Sequence, residues 1–173
     1  MEWWEAHGSC ASSQVVAQDG SISGPRRSPV ILYLDTSSLV KLYVEEVGSD
    51  DVRNLVAQAT VVVTSIVAYP ETRAALARLR RSGDLTPAGA SAAKRAFEAQ
   101  WAAFLTVEVT AAVSREAGEL AERYALRGFD ALHLASFAEI ARRAGPAETR
   151  FSSFDDRLNK AAMDVARRLQ SGR

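Results

Sequence analysis

A run of five apolar residues, Val30 to Leu34, ends abruptly at the charged residue Asp35. An unbroken apolar run of this length, which includes the β-branched Val30 and Ile31, is typical of a strand buried on both faces. Such strands occur in parallel sheets that carry helices on both sides. The run therefore predicts a layered α/β fold, with a carboxylate at the point where the strand ends.

The rest of the chain alternates between short apolar runs and longer segments with the apolar spacing of helices. Further strands are predicted at 60–64, 105–109 and 150–154, and helices at 36–44, 51–59, 65–81, 86–104, 111–126, 129–144 and 155–169. This alternation predicts an α/β/α sandwich with a central, mostly parallel sheet of four to five strands. In such sheets, sites form beyond the carboxyl ends of the strands.

The composition fits one globular domain. Of the 173 residues, 47% are hydrophobic, and no segment approaches the roughly 18 apolar residues that a membrane helix needs. The 21 basic residues balance the 21 acidic ones, which excludes a uniformly basic coat but leaves room for a local basic stripe. Residues 1–29 are rich in Ser and Gly, so we predict a flexible tail before a folded domain at 30–173. A natural start at Val30 is the alternative.

Cysteine and histidine are scarce, which limits the chemistry of the chain. The single cysteine, Cys10, excludes intrachain disulfides and cysteine zinc clusters, and it favours a reducing, cytoplasmic location. The two histidines, His7 and His133, exclude a histidine-rich metal site. Any metal chemistry in this chain must therefore use carboxylates.

Four acidic residues stand where the predicted fold would gather them at one edge of the sheet. Asp35 and Asp155 follow predicted strands directly. Glu71 lies early on the helix after the second strand, and Asp130 lies in the first turn of the helix before the fourth. Carboxylate oxygens suit Mg²⁺ or Mn²⁺, which would activate a water and neutralise charge on a phosphodiester. Helix capping is the alternative role for the three aspartates.

Neighbouring polar residues are candidates to support these acids. Ser37 and Ser153 each lie two residues from a strand-end acid, where a hydroxyl would orient a carboxylate or a metal-bound water, or cap a helix. His133 lies one turn after Asp130 on an apolar helix. For this histidine we expect packing and a local hydrogen bond rather than catalysis.

Arginines near the acids are candidates for contacts with phosphate. Arg127, three residues before Asp130, would contact a phosphate or pair with an acid. The clusters within 78–81 and 142–143 would form a basic rim for a nucleic-acid backbone, or only solvated helix faces. Pro70 limits the placement of Glu71, because a proline disturbs a helix already begun at Ser65. The helix therefore begins near Pro70 or bends there.

Four segments together resemble the PIN-domain ribonucleases of the VapC toxin group. They are LYLDTSSLVKLY (32–43), AYPETRAAL (68–76), LRGFDALHLASF (126–137) and FSSFDDRLNKAA (151–162). The likeness spans about residues 30–166, in the family's order and spacing. It implies an α/β/α fold and a Mg²⁺- or Mn²⁺-dependent endoribonuclease. It also implies inhibition by a cognate VapB-type antitoxin, and family members are often homodimers.

The resemblance assigns roles to the acids position by position. Asp35 and Asp130 match the principal metal ligands of the family, and Glu71 matches the second acid of its quartet. Asp155, rather than Asp156, matches the fourth acid, because the family's Phe-Asp-x-Arg-Leu pattern places the active carboxylate first.

Two other functions stand against this hypothesis. One is a phosphatase of the haloacid-dehalogenase type, and Ser37 argues against it. That group needs a second aspartate at this position. In the PIN resemblance, by comparison, Ser37 and Ser153 match positions where the family commonly has Ser or Thr. The other alternative is a PIN-like module that has lost catalysis and only binds RNA or protein. All four acids are present, which argues against that loss.

Overall fold

A computed structural model describes residues 30–172 as one parallel sheet covered by helices. The strands are β1 (Ile31–Leu34), β2 (Val61–Ser65), β3 (Leu105–Val107) and β4 (Thr149–Ser152). They lie in the order β3–β2–β1–β4, and every pair is parallel. This confirms the predicted parallel sheet, with four strands. The predicted flexible tail at 1–29 lies outside the described residues.

Helices follow the strands and cover both faces of the sheet. They are α1 (Thr36–Val40), α2 (Ser49–Gln58), α3 (Ala68–Ser82), α4 (Pro87–Trp101), α5 (Ala111–Tyr124), α6 (Gly128–Ala144) and α7 (Asp156–Gln170). Within residues 30–172, no helix is both long and apolar enough to cross a membrane.

Alternate residues of β1 face the two helical layers. Leu32 and Leu34 pack with residues of α1 to α4, including the fully buried Phe97. Tyr33 lies on the opposite face and packs with residues of α5, α6 and α7. Because successive side chains of a strand point to opposite faces, this apolar run lies between two cores. The α/β/α sandwich predicted from the sequence is confirmed.

The prediction that a helix begins at Ser65 is wrong. Ser65 is the buried last residue of β2, where it pairs with Val107 of β3. Helix α3 begins at Ala68, so Pro70 is its third residue. The first N–H groups of a helix have no partner within the helix, and a proline there removes no hydrogen bond. Glu71 therefore lies in a regular first turn.

Several other predicted elements are longer than the observed ones; for example, β3 ends at Val107 rather than residue 109 and α4 at Trp101 rather than residue 104. Helix α1 ends at Val40 rather than residue 44, and a turn follows. Strand β4 ends at Ser152, two residues earlier than predicted, so Ser153 and Phe154 lie in the loop that leads into α7. This loop lies beside the end of β1, because β1 and β4 are neighbours in the sheet.

Candidate active site

The end of β1 places Asp35 at the centre of the carboxyl edge of the sheet. Its backbone N–H donates to the carbonyl of Ser152, so the residue is fixed to the end of β4. Its side chain caps α1 by accepting a hydrogen bond of 2.9 Å from the N–H of Ser38. The capping role considered from the sequence is therefore present, but the carboxylate is also buried.

Two serine hydroxyls orient the carboxylate of Asp35. The Oγ of Ser37 donates to both carboxylate oxygens, at 2.8 and 3.1 Å, and the Oγ of Ser153 donates to Oδ2 at 2.9 Å. Burial raises the pKa of Asp35, although these hydrogen bonds oppose the shift. Ser37 therefore contacts the acid beside it in the sequence, whereas Ser153 donates to Asp35 and not to Asp155, the acid two residues away. Together the two hydroxyls fix the direction of a buried carboxylate.

The carboxylate of Glu71 is held by Thr36 and His133. The Oγ1 of Thr36 lies 2.6 Å from Oε2 of Glu71, and Nε2 of His133 lies 2.8 Å from the same oxygen. The Nδ1 of His133 lies 3.0 Å from the hydroxyl of Tyr33, which is fully buried. Since a carboxylate only accepts, Nε2 carries the proton in this pair. Burial raises the pKa of Glu71, but the hydrogen bonds from His133 and Thr36 outweigh it and the net shift is downward.

His133 meets the expectation of a packed histidine with local hydrogen bonds, since it is buried and bonded on both ring nitrogens. Sequence reasoning missed its direct contact with one of the acids. The spacing gave a signal, because residues three apart on a helix share a face and His133 follows Asp130 by three. The partner, Glu71, could not be identified without knowing how α3 packs.

Asp130 and Asp155 complete the acidic group. Asp130 is half-buried in the first turn of α6; burial raises its pKa, and repulsion from Asp155 and Glu71 adds to the shift. Asp155 is exposed and caps α7, accepting a hydrogen bond of 2.9 Å from the N–H of Leu158. Its own N–H donates to Oγ of Ser153.

All four acids line one open cavity of about 660 Å³. Among residues 30–172, no three acidic, histidine or cysteine side chains are close enough together to form a complete metal site. The donor chemistry nevertheless fits a hard divalent cation, because the acids supply only oxygens and repulsion raises the pKa of Asp130. The described part of the lining contains Asp155 but not Asp156.

Arginines that have no salt bridge among residues 30–172 line the cavity. Salt bridges among residues 30–172 engage six arginines: Arg53, Arg73, Arg142, Arg143, Arg167 and Arg168. Arg78, Arg81 and Arg127 are in none of these pairs, and all three line the cavity. Positive side chains free of carboxylate partners therefore stand at its rim, where a phosphate backbone would be attracted.

The two predicted arginine clusters differ in the structure. Arg142 and Arg143, near the end of α6, pair with Glu139, and Arg142 also pairs with Glu116. This cluster is a salt-bridged helix face, which was the alternative considered from the sequence. Only the cluster on α3 contributes to the cavity.

Lys41 and Phe154 also line the cavity, and sequence reasoning missed both. Lys41 is buried, and its Nζ donates to Oε2 of Glu46 at 2.9 Å and to the carbonyl of Val47 at 2.8 Å. The same ammonium lies 4.2 Å from the ring centroid of Phe154. A lysine inside the apolar segment LVKLY was the available signal, because a buried lysine needs acceptors.

An α/β/α sandwich with four acids around a cavity at its strand ends is the arrangement expected of a PIN domain. The chain matches the PIN domain family over residues 32–164, and it belongs to that family. Similar proteins include Ribonuclease VapC45 of Mycobacterium tuberculosis strain CDC 1551 / Oshkosh and Ribonuclease VapC49 of strain ATCC 25618 / H37Rv. Each is 46% identical over 106 residues, which covers 61% of this chain and 74% of the relative. The resemblance drawn from four segments is confirmed.

Proposed function

We propose that this protein is a VapC-type toxin, an endoribonuclease that hydrolyses phosphodiester bonds of RNA with the help of Mg²⁺ or Mn²⁺. The observation that carries the proposal is the meeting of Asp35, Glu71, Asp130 and Asp155 around one cavity. The likeness to two proteins named as VapC ribonucleases supports RNA as the substrate.

Asp35 and Asp130 would hold the cation, with Glu71 and Asp155 completing the acidic surroundings. When bound, the cation would supply an activated water and neutralise charge on the phosphodiester. The structure supports this assignment through the serine hydroxyls on Asp35 and the buried histidine on Glu71. Such contacts hold the carboxylates in fixed directions, so that less conformational entropy is lost when the cation binds.

The arginines at the rim would position the substrate. A guanidinium binds phosphate oxygens through two parallel N–H groups, and Arg78, Arg81 and Arg127 have no carboxylate partner within the described residues. They would bind the RNA backbone and place a phosphodiester bond beside the acids that hold the cation. Phosphate contacts of this kind are independent of sequence, so base preference must arise elsewhere.

We also propose that a cognate VapB-type antitoxin inhibits the protein, that the protein forms a homodimer, and that it acts in the cytoplasm. The likeness to proteins named VapC supports the antitoxin partner. A catalytically silent binding module is the competing hypothesis. The oriented carboxylate of Asp35 favours catalysis, because a module that only binds RNA has no need of a buried acid at its binding surface.

The proposal is tested by incubating the purified full chain with total RNA, with Mg²⁺, with Mn²⁺ and with a chelator. We expect cleavage only in the presence of a divalent cation. Asp35→Asn is the matched variant, because asparagine caps a helix about as well as aspartate but lacks the charge. Its cleavage rate should fall by at least about a hundredfold, as expected for the loss of a metal ligand. Intact RNA under all conditions would contradict the proposed activity.

A further inference from the structure

Phe154 is an aromatic side chain at the mouth of the acidic cavity with no place in the core. It lies between β4 and α7, lines the cavity with Asp35 and Asp155, and is 48% exposed. Among residues 30–172 it belongs to none of the clusters that form the hydrophobic core. Packing of the fold therefore does not account for a phenylalanine at this position.

The ring of Phe154 is contacted by Lys41 and closely approached by Gly48. The Nζ of Lys41 lies 4.2 Å from the ring centroid, and that ammonium is itself fixed by Glu46 and Val47. Gly48 approaches so closely that an added Cβ would lie 2.4 Å from the ring. Gly48 has φ of 90°, so the glycine is required by its backbone as well as by the ring. Despite these contacts, Phe154 remains 48% exposed.

The backbone of Phe154 is tied to the acidic centre. Its N–H donates to Oγ of Ser37 at 2.8 Å, and the same oxygen donates its proton to Asp35. The position of the ring is therefore set relative to the carboxylate that the site is built around. An exposed aromatic ring fixed in this way is preorganised for a ligand that lies across the cavity.

We infer that Phe154 is a stacking platform for one unpaired nucleobase of the RNA that enters the cavity. The inference rests on the proposed ribonuclease function and assigns a base-binding residue to that site. Arginines and an exposed aromatic ring that line the same cavity are a combination that binds single strands, through phosphate contacts and base stacking. Bases within a duplex are already stacked and do not present their faces. The ammonium of Lys41 lies over one face of the ring, so a base would stack on the opposite face.

The test compares binding of single-stranded oligoribonucleotides to the full chain carrying Asp130→Asn, which is expected to bind without cleaving. In this background Phe154→Leu should weaken binding by roughly tenfold, the typical effect of one lost stacking contact, whereas Phe154→Tyr should retain it. The dependence of affinity on salt should stay unchanged, because the phosphate contacts remain. A duplex of the same sequence should show no dependence on residue 154.

Abasic substitutions along the strand make the test specific to stacking. One position should exist where removal of the base weakens binding to the Phe154 protein but not to the Phe154→Leu protein. Such non-additivity shows that the base and the ring interact. Additive losses at every position, or equal affinity of the Leu variant, would overturn the inference. Loss of antitoxin binding by Phe154→Leu with unchanged RNA affinity would also overturn it, because a protein partner would then use the ring.

A second measurement does not depend on the folding of a variant. In the wild type with a chelator present, RNA that carries 5-iodouridine should crosslink to Phe154 on irradiation, and the crosslinked peptide identifies the residue. Crosslinks that map only to other residues would contradict the inference. Cleavage of total RNA is scored separately. If RNA is cleaved but no base stacks on Phe154, the inference about Phe154 is wrong and the proposed nuclease function stands. If a base stacks on Phe154 but RNA is not cleaved, the nuclease proposal is wrong and the base-binding site stands.

Discussion

The buried pair of His133 and Glu71 links the acidic cavity to the core of the molecule. His133 is bonded on one side to the buried hydroxyl of Tyr33 and on the other to Glu71. Its only polar partners on the cavity side are Glu71 and Thr36 among the described residues. We therefore expect His133 to act as a positioning residue that fixes the direction of the Glu71 carboxylate.

His133→Ala should lower both metal affinity and kcat by about 10- to 100-fold, as is typical when a residue that orients a metal ligand is removed. His133→Gln should restore part of both, because its amide N–H donates to a carboxylate as Nε2 of the histidine does. Calorimetric titration with Mn²⁺ and steady-state kinetics measure the two effects. If His133 serves packing alone, the alanine variant will lose thermal stability while the folded protein keeps its metal affinity and kcat.

Asp155 and Asp156 provide an internal control for the assignment of the fourth acid. Asp155 lines the cavity and raises the pKa of Asp130 by repulsion, whereas Asp156 is an exposed first residue of α7. Asp155→Asn keeps the cap and should reduce cleavage of RNA by at least about tenfold. Asp156→Asn should leave the rate within about twofold of the wild type. The reverse pattern would place the fourth acid one residue further along the chain.

At the level of the elements, α3 and α6 carry arginine clusters of similar sequence but different environment. The arginines of α3 at 78 and 81 line the cavity and have no carboxylate partner in the described part of the chain, whereas Arg142 and Arg143 of α6 are paired with glutamates. Only the first cluster should therefore contribute to binding of the RNA backbone.

The double variant Arg78→Gln/Arg81→Gln should raise KM for RNA, since two phosphate contacts are lost. The slope of log affinity against log salt should become shallower by about one for each contact removed. Arg142→Gln/Arg143→Gln removes the same net charge and should leave both quantities near those of the wild type. Equal effects of the two double variants would show that the protein responds to total charge and not to an arginine rim at the cavity.

The elements also show what the sequence could and could not predict. The parallel sheet followed from the apolar run at 30–34, because a strand without polar residues must be covered on both faces. The start of α3 was predicted three residues early, since Ser65 reads as a helix cap when its pairing with Val107 is unknown. Strand ends depend on long-range pairing, and no local pattern contains that information.

The candidate site divides in the same way. The four acids were predicted to meet, because residues that follow parallel strands lie at one edge of the sheet. The bond of Ser153 to Asp35 was not predicted, since it depends on β1 and β4 being neighbours. The contact of His133 with Glu71 and the cover of Phe154 by Lys41 depend on how separate elements pack. Both contacts join residues that are far apart in the sequence, so the spacing of residues along the chain could not identify the partners.

For the whole molecule, residues 30–172 contain the apolar cores on both faces of the sheet and all four acids of the cavity. We therefore predict that a protein lacking residues 1–29 folds and cleaves RNA as the full chain does. Melting temperature and cleavage rate of the two forms provide the comparison. A large fall in melting temperature on removal of the segment would show that it packs on the domain.

The central claim, that the acids of this PIN domain form a metal-binding catalytic site, is tested most directly by Asp130→Asn. The pKa of Asp130 is raised by burial and by repulsion from Asp155 and Glu71, so its ionised form destabilises the folded state at neutral pH. Without metal, the melting temperature of the variant should therefore stay level or rise.

Added Mn²⁺ should then separate the two proteins. The wild type should gain melting temperature as the cation binds the folded state, and Asp130→Asn should gain much less. Cleavage of RNA by the variant should fall by orders of magnitude. An Asp130→Asn protein that cleaves RNA at the wild-type rate and gains the same melting temperature with Mn²⁺ would contradict the metal-site account.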